Sequence, residues 1–278
     1  MMPATPALRL PLHLPVSFLV GSAMLALVLA CALFPAMLAP YDPLAFDFAA
    51  LQEVPGRSHW FGTDNFGRDI LSRVISAARI DLQIALFATL GPMLIGSLAG
   101  LLAGYIGGWP DVVLGRLIDL VLTFPFLVIV IAIVAVLGPG LANMYVAVTV
   151  VGWVFYARLM RGEVLVQKQA DYVAAARVLG YHFPRILFRH ILPNAFRPIL
   201  VYWVTDMALK ILLGSSLGYL GLGAQPPESE WGVLIADGKN FFTQAWWMTF
   251  FPGLAIVFAG LGFSLTGDGL ADLMDVKR

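Results

Sequence analysis

The sequence predicts an all-α, polytopic membrane protein with six transmembrane helices, and three observations carry that expectation. Its 278 residues are 60% apolar and only 12% charged, against about 25% charged in soluble domains. The mean hydropathy is +0.85. Six stretches, at 16–39, 82–106, 113–137, 141–160, 196–222 and 247–266, are long and apolar, and a helix crosses hydrocarbon in roughly 20 such residues. A water-soluble helical protein would have to bury all six, with too little polar sequence left to cover its outside.

Taken in order, the first span is Val16–Ala39. The residues before it hold one basic group, Arg9, and no convincing cleavage site, so the span reads as retained rather than as a cleaved leader. Residues 40–81 are polar and rich in turn formers, and they end in an amphipathic helical pattern near Arg68–Ile80. Gly107-Gly108-Trp109-Pro110-Asp111 separates the second and third spans, and Gly138-Pro139-Gly140 separates the third and fourth, both strong turn signals. Pro125 and Pro198 lie inside spans and allow local kinks. Gly96, Gly100, Gly104 and Gly108 recur every four residues, a spacing that lets a second backbone approach one helix face. Cys31 is the single cysteine, which excludes an intrachain disulfide framework.

Charge assigns the sides. Residues 161–195 carry Arg161, Lys168, Arg177, Arg185 and Arg189 against Glu163 and Asp171, with Arg158 and Arg197 flanking. Residues 223–246 carry Glu228, Glu230 and Asp237 against Lys239. The basic segment is cytoplasmic by the positive-inside rule. Alternation then puts both termini inside, in agreement with Lys277 and Arg278, and places 40–81 and 223–246 outside. The expected division is a 1–81 portion holding the tail, first span and outer segment, an 82–270 core containing the inner loop, and a 271–278 cytoplasmic tail. The formal net charge of zero points to no nucleic-acid partner; membrane lipid is the expected surroundings.

Few residues suggest chemistry. Asp206 and Lys210 lie four apart within the fifth span. Charges there face a bundle interior or a wet cavity, so a structural pair and a place on a translocation path both stay open. Arg116 and Asp119 can snorkel to the inner surface. Gly214-Ser215-Ser216-Leu217-Gly218 has nucleophile-elbow spacing but falls in a helix, far from His182 and His190; His13 and His59 read as interfacial or loop residues. No phosphate-binding loop and no tandem Cys/His pattern occurs. No catalytic or metal site is therefore assigned, and the chain is not expected to bind a cofactor or hydrolyse ATP alone.

The 161–195 loop nevertheless reads as folded. Asp171–Leu179 is a short helical pattern, with Asp171 placed to favour its start and Gly180 suited to end it. Phe183–Leu192 restarts after a turn, with Pro184 in its first turn and Pro193 at its end. Val173, Val178, Ile186, Leu187 and Ile191 are expected to be exposed among the basic groups. That surface suits either a lipid interface or docking of a cytoplasmic partner.

Four motifs carry a family resemblance that spans nearly the whole chain beyond residue 15. Asp171-Tyr-Val-Ala-Ala-Ala-Arg-Val-Leu-Gly180 and Arg189-His-Ile-Leu-Pro-Asn194 resemble the cytoplasmic signature loop of binding-protein-dependent ABC importer permeases, most closely the second permease of dipeptide, oligopeptide and nickel importers. His59-Trp-Phe-Gly-Thr-Asp-Asn-Phe-Gly-Arg-Asp-Ile-Leu-Ser-Arg73 is similar to the outer segment after the first span in that family. Leu217-Gly-Tyr-Leu-Gly-Leu-Gly-Ala-Gln-Pro-Pro227 with Trp231-Gly232 is similar to the segment after the fifth, and Phe251-Pro-Gly-Leu-Ala255 with Gly267-Asp-Gly-Leu270 to the last span and its exit.

The resemblance implies a type I ABC importer permease (MetI-like) fold in a prokaryotic inner or plasma membrane, importing di-/oligopeptides, nickel chelates or glutathione. It implies a homologous permease subunit, two cytoplasmic ATPase subunits holding ATP and Mg, and an extracytoplasmic solute-binding protein. Asp171, Ala174, Ala175, Gly180, Arg185, Ile191 and Pro193 would form the ATPase-coupling loop. Gly62, Asp64, Gly67, Arg68, Asp69, Pro226, Pro227 and Trp231 would serve docking or gating outside. Ala174 departs from the glutamate usual there, with Asp171 and Glu163 the nearby acids, and Ser264 and Ala271 stand for an expected asparagine and arginine.

Overall fold

The computed structural model describes residues 14–274. Arg9, His13, Lys277 and Arg278 lie outside the described residues. Among the described residues the regular elements are helices, and the one β-type contact is a single bridge between Thr63 and Asp69.

Helix α1 (Val16–Leu33) is followed by the short α2 (Pro35–Leu38) and a long irregular segment; α3 (Ile70–Ile106) then runs for 37 residues. At a rise of roughly 1.5 Å per residue α3 is about 55 Å long, well beyond the about 30 Å of a hydrocarbon core. The expected break between an amphipathic helix near Arg68–Ile80 and a span at 82–106 is absent, because nothing between them interrupts the ladder. Asp69 starts this helix by accepting from the Ser72 amide.

The third span differs from a simple kinked crossing. α4 (Gly108–Leu122) and α5 (Phe126–Leu137) meet at 84°. Pro125 lacks an amide hydrogen, adopts an extended ψ of 124° and caps α5, and a proline also drives the residue before it out of the helical region. The ladder therefore stops at Leu122 instead of bending. α5, with 12 residues, reaches only about 18 Å. Five helices are long and apolar enough to cross a membrane, and the broken α4–α5 pair makes up the sixth crossing if it counts as one.

The Gly138-Pro139-Gly140 turn leads into α6 (Leu141–Gln167), where Asn143 Nδ2 donates to the carbonyls of Leu137 and Gly138 at 2.9 and 3.0 Å. A folded elbow follows: α7 (Asp171–Val178), α8 (Phe183–Arg185) and a wide π-type segment, Ile186–Ile191. It runs without interruption into α9 (Leu192–Tyr219). α10 (Trp231–Gly238) and α11 (Trp247–Leu273) complete the chain. One end of the bundle carries the segments before α3 and around α10, and is called the loop end here; the elbow forms the other.

Apolar burial does not hold helices together in lipid, which is as apolar as leucine; close packing does. A Cβ on Gly96 would stand 2.2 Å from the Trp153 carbonyl oxygen, and one on Gly100 2.3 Å from that of Ala157, so α3 and α6 touch backbone to backbone. Gly104 is looser, at 3.2 Å from the Arg161 oxygen, and Gly108 has left this face to open α4 with no atom within 4 Å. The contact surface thus uses three of the four glycines. α1 meets α11 in the same way, with Phe18 2.4 Å from where a Cβ of Gly269 would stand.

Replacing Gly100 by valine forces α3 and α6 apart. A loss of at least about 1–3 kcal/mol, as for overpacked cores, is expected to lower the thermal midpoint of the purified protein in detergent. Gly115→Ala, with nothing within 4 Å, should leave the midpoint unchanged. Equal midpoints for the two variants would contradict the close approach.

Candidate functional site

The elbow is anchored before it begins. Arg161 of α6 pairs with Asp111 of α4 through two nitrogens, and Lys168 donates to the Tyr105 carbonyl at 2.6 Å. Asp171 occupies the first turn of α7 and makes no capping bond, so it acts there through its charge at the positive helix end. Gly180 closes α7 in the left-handed region, at φ 75°. Its amide bonds the Arg177 carbonyl at 2.9 Å and the Tyr181 amide bonds that of Ala176 at 3.1 Å, the pair of bonds that defines a Schellman motif.

Pro193 does not end the second elbow helix, contrary to expectation. It sits in the first turn of α9, just past the π-type segment, where the Leu192 amide bonds the Leu187 carbonyl. The wide turn shifts the register at the point where proline has no hydrogen to give, and the helix carries on. The expected exposed surface is also rearranged. Val173, Ile186, Leu187 and Ile191 are fully buried against Met160 and Val164; they are the elbow's own core. Ile191 therefore supports the loop from inside and does not face a partner. The exposed apolar groups are Val178, at 88%, and Leu179, at 69%, with Tyr172, Phe183 and Phe188. Ala174, Ala175, Arg177, Arg185, Arg189 and Pro193 share the exposure, and Arg185 stacks over the Tyr181 ring at 3.9 Å.

Midway along α9, Lys210 Nζ donates to Asp206 Oδ1 at 2.9 Å, and the Tyr156 hydroxyl donates to Oδ2 at 2.8 Å. Both charged residues are buried, yet they border a cavity of about 330 Å³ with Phe126, Phe155, Tyr202 and Ser216. The pair is structural and also lines a cavity, beside the break between α4 and α5. Ser215 and Ser216 lie inside α9, and Ser216 Oγ donates to the Leu212 carbonyl, so this stretch has helical rather than elbow geometry.

At the loop end a buried ionic network joins distant segments. Asp64, 1% exposed, accepts from the amides of Phe66 and Arg68, from Arg68 Nε at 2.7 Å and from Arg73 Nη1 at 2.7 Å. Arg73 Nη2 reaches Asp237 of α10 at 3.1 Å and Ser229 at 3.3 Å. Asp69 holds His59 Nδ1 at 2.9 Å as well as Ser72. Trp231 donates its ring N–H to the Val74 carbonyl and its amide to Asp81, each at 3.0 Å. Gly67, at φ 75°, lies so close to Asp47 that a Cβ would stand 1.7 Å from the Asp47 oxygen.

Residues 96–278 match the family described as the inner membrane component of binding-protein-dependent transport systems. The chain belongs to this family. It is 43% identical over 223 residues to a dipeptide transport system permease of Alkalihalophilus pseudofirmus, an alignment covering 80% of this chain and 73% of that one. It is 40% identical to a probable D,D-dipeptide transport system permease of Escherichia coli K12, covering 92% and 86% of the two chains, and 42% identical to a glutathione transport system permease of Pectobacterium atrosepticum, covering 90% and 84%. The chain is thus a multi-pass inner-membrane permease, a transport subunit from a family that is not enzymatic.

In this permease, Asp171, Ala174, Ala175, Gly180, Arg185 and Pro193 are exposed on the elbow. Gly62, Asp64, Gly67, Asp69 and Trp231 are buried, so they shape the loop end and cannot themselves touch an incoming protein in this conformation. Arg68 is half-buried, and Pro226 and Pro227 are exposed.

Sequence reasoning missed the partnership of Asp81 and Glu230, which are fully buried near each other. Glu230 caps α10 by accepting from the amides of Gly232 and Val233 at 2.8 and 3.1 Å. It lies against Gly218, where a Cβ would stand 1.4 Å from its oxygen. Glycine at 218 was the available signal, but it reads equally well as helix packing.

Burial pushes the Glu230 carboxyl up to about 7. A carboxyl raised on folding contributes most while it is protonated in both states, and that contribution fades as pH climbs from its ordinary 4.5 through about 7. The thermal midpoint of the detergent-solubilised protein is expected to fall across that window, and Glu230→Gln, measured by the same melt, should flatten the slope. An unchanged slope would show that Glu230 does not titrate there.

Proposed function

We propose that this permease forms half of the pore of an ATP-driven importer of di- and oligopeptides. Its partners are a homologous permease subunit, two cytoplasmic ATPase subunits and an extracytoplasmic solute-binding protein; ATP and Mg²⁺ belong to the ATPases. Both termini and the elbow are cytoplasmic, and the loop end faces out. The relatives named for dipeptide and D,D-dipeptide transport support the substrate class. Glutathione is the second reading, favoured by the relative named for it; it too is a short chain of amide-linked residues.

The observation that carries the proposal is the elbow's outward face. Val178 and Leu179 are exposed on a folded platform that also exposes Arg177 and Arg185, and exposed apolar groups with charged neighbours suit a protein interface. In this reading ATP binding draws the ATPases together, the elbow follows them, and α9 carries the displacement toward the loop end. Asp171 lies exposed one turn before Ala174 and supplies the carboxylate that Ala174 lacks. Solute passes near Asp206 and Lys210 once the pore opens.

Reconstitution of the four-component membrane complex with the binding protein in proteoliposomes tests this. Dipeptide should accumulate only with ATP inside. Leu179→Asp places a charge on the docking face without touching the buried elbow core. About a tenfold loss of uptake and of stimulated ATPase is expected, the scale of one unfavourable interface contact, at unchanged thermal midpoint. Uptake that persists without the ATPase subunits would overturn the importer reading.

A further inference from the structure

A second cavity, of about 460 Å³, opens at the loop end between the first turns of α3 and the segment leading into α10. Its volume falls within the roughly 300–1,000 Å³ of small-molecule sites. Ser76, Arg79 and Gln83 reach it from α3, at spacings that share one helix face. Glu228 and Ser229 line it from the segment leading into α10. Leu44 and Ile80 give it an apolar flank.

The polar groups here are uncommitted. Among the described residues, the side chains of Ser76, Arg79, Gln83 and Glu228 have no hydrogen-bond or ion-pair partner, unlike Arg73, Asp64 and Asp237 close by. Arg79 and Glu228 carry opposite charges into one cavity and do not meet each other. Arg73, whose side chain is 5% exposed, forms part of the same wall, and its Nε is buried without an acceptor. A buried donor without a partner costs free energy until something accepts from it.

We propose that this cavity binds a short zwitterionic peptide, with the terminal carboxylate at Arg79 and Arg73 Nε and the terminal ammonium at Glu228. A guanidinium favours a carboxylate through charge-assisted hydrogen bonds. Two unpaired opposite charges lining one cavity select a ligand bearing both. Ligands that lack either end leave one charge unanswered. The assignment rests on the reading of the chain as a peptide importer's pore, and it places a selective step in the permease, after release from the binding protein.

The test is equilibrium binding of radiolabelled dialanine to the purified membrane complex, without the binding protein. N-acetyl-dialanine and dialanine amide serve as competitors. The wild type is expected to prefer dialanine over both by about tenfold or more, the scale of one charge-assisted bond. Glu228→Gln should abolish discrimination against the acetylated peptide only, and Arg79→Gln discrimination against the amide only. Neither side chain has a structural partner, so unchanged thermal midpoints are expected for both. Absence of dialanine binding up to about 10 mM, weaker than the millimolar end of specific affinities, or discrimination unaltered in both variants, would overturn the site. Binding with the expected charge preference supports the site even if the full complex fails to import dialanine, and that failure would count against the importer reading alone.

Discussion

Hydrocarbon neither hydrates a peptide group nor rewards the meeting of two apolar surfaces, and the architecture of this permease follows from those two facts. Every span must satisfy its own backbone, so helices are the available form. Association must then come from close approach and from polar contacts. The α3–α6 seam at Gly96 and Gly100 supplies the first, where backbone lies against backbone. The second is supplied by a small number of polar bonds midway along α9. Trp203 donates to Thr89 at 2.8 Å between α9 and α3, and Tyr156 and Lys210 converge on Asp206. Removing one partner from such a set leaves a buried polar group unanswered, which costs more than the bond itself contributes.

The loop end follows different rules, because polar sequence is plentiful there. α3 extends past the hydrocarbon thickness, and its first two turns become the post to which the irregular segments are tied. Arg73 is the knot. It joins Asp64, from the segment before α3, to Asp237 of α10, which lies 164 residues beyond Arg73. Trp231 inserts beside it and bonds back to Val74 and Asp81. The segments most plainly motif-like in sequence therefore hold a shape, and the groups left free around that shape, Arg79 and Glu228, are the ones available to a solute.

How much of this was legible in the sequence depended on range. Apolar length located the helices, and Gly138 and Gly140 marked a turn that positive φ values at both residues require. The spacing of Asp206 and Lys210 put them on one face, and they do pair. Gly180 ended α7 as its chemistry suggested. Failures came where a distant surface decides. The hydrophobic pattern of the elbow identified Val173, Ile186, Leu187 and Ile191 as a stripe but not which way it faces, since Met160 and Val164, which cover it, belong to another helix. Pro125 signalled a kink but not a full break of 84° between α4 and α5, nor that Phe126 just after it would lie with its ring 5.0 Å from the Lys210 ammonium. The nearness of Asp81 and Glu230 could not be read from residues so far apart in the chain.

The same geometry limits how the molecule can move. Phe183–Tyr219 is helical for 37 residues, a length of about 55 Å, so the elbow and the loop end are two ends of one rod. At the far end the rod has no slack. Gly218 leaves no room for even a methyl group beside Glu230, and a Cβ on Gly232 would stand 2.0 Å from the Ser215 oxygen. A displacement of the elbow must then either shift α10 or be absorbed within the rod. Two places can absorb it: the wide turn at Ile186–Ile191 and the missing hydrogen bond at Pro198. Both lie in the elbow half, before Asp206. The portion from Asp206 to Gly218 is uninterrupted, so whatever motion passes Pro198 reaches the Asp206–Lys210 cavity and α10 together. That ties the cavity midway along the bundle to the fit of Glu230 at its end.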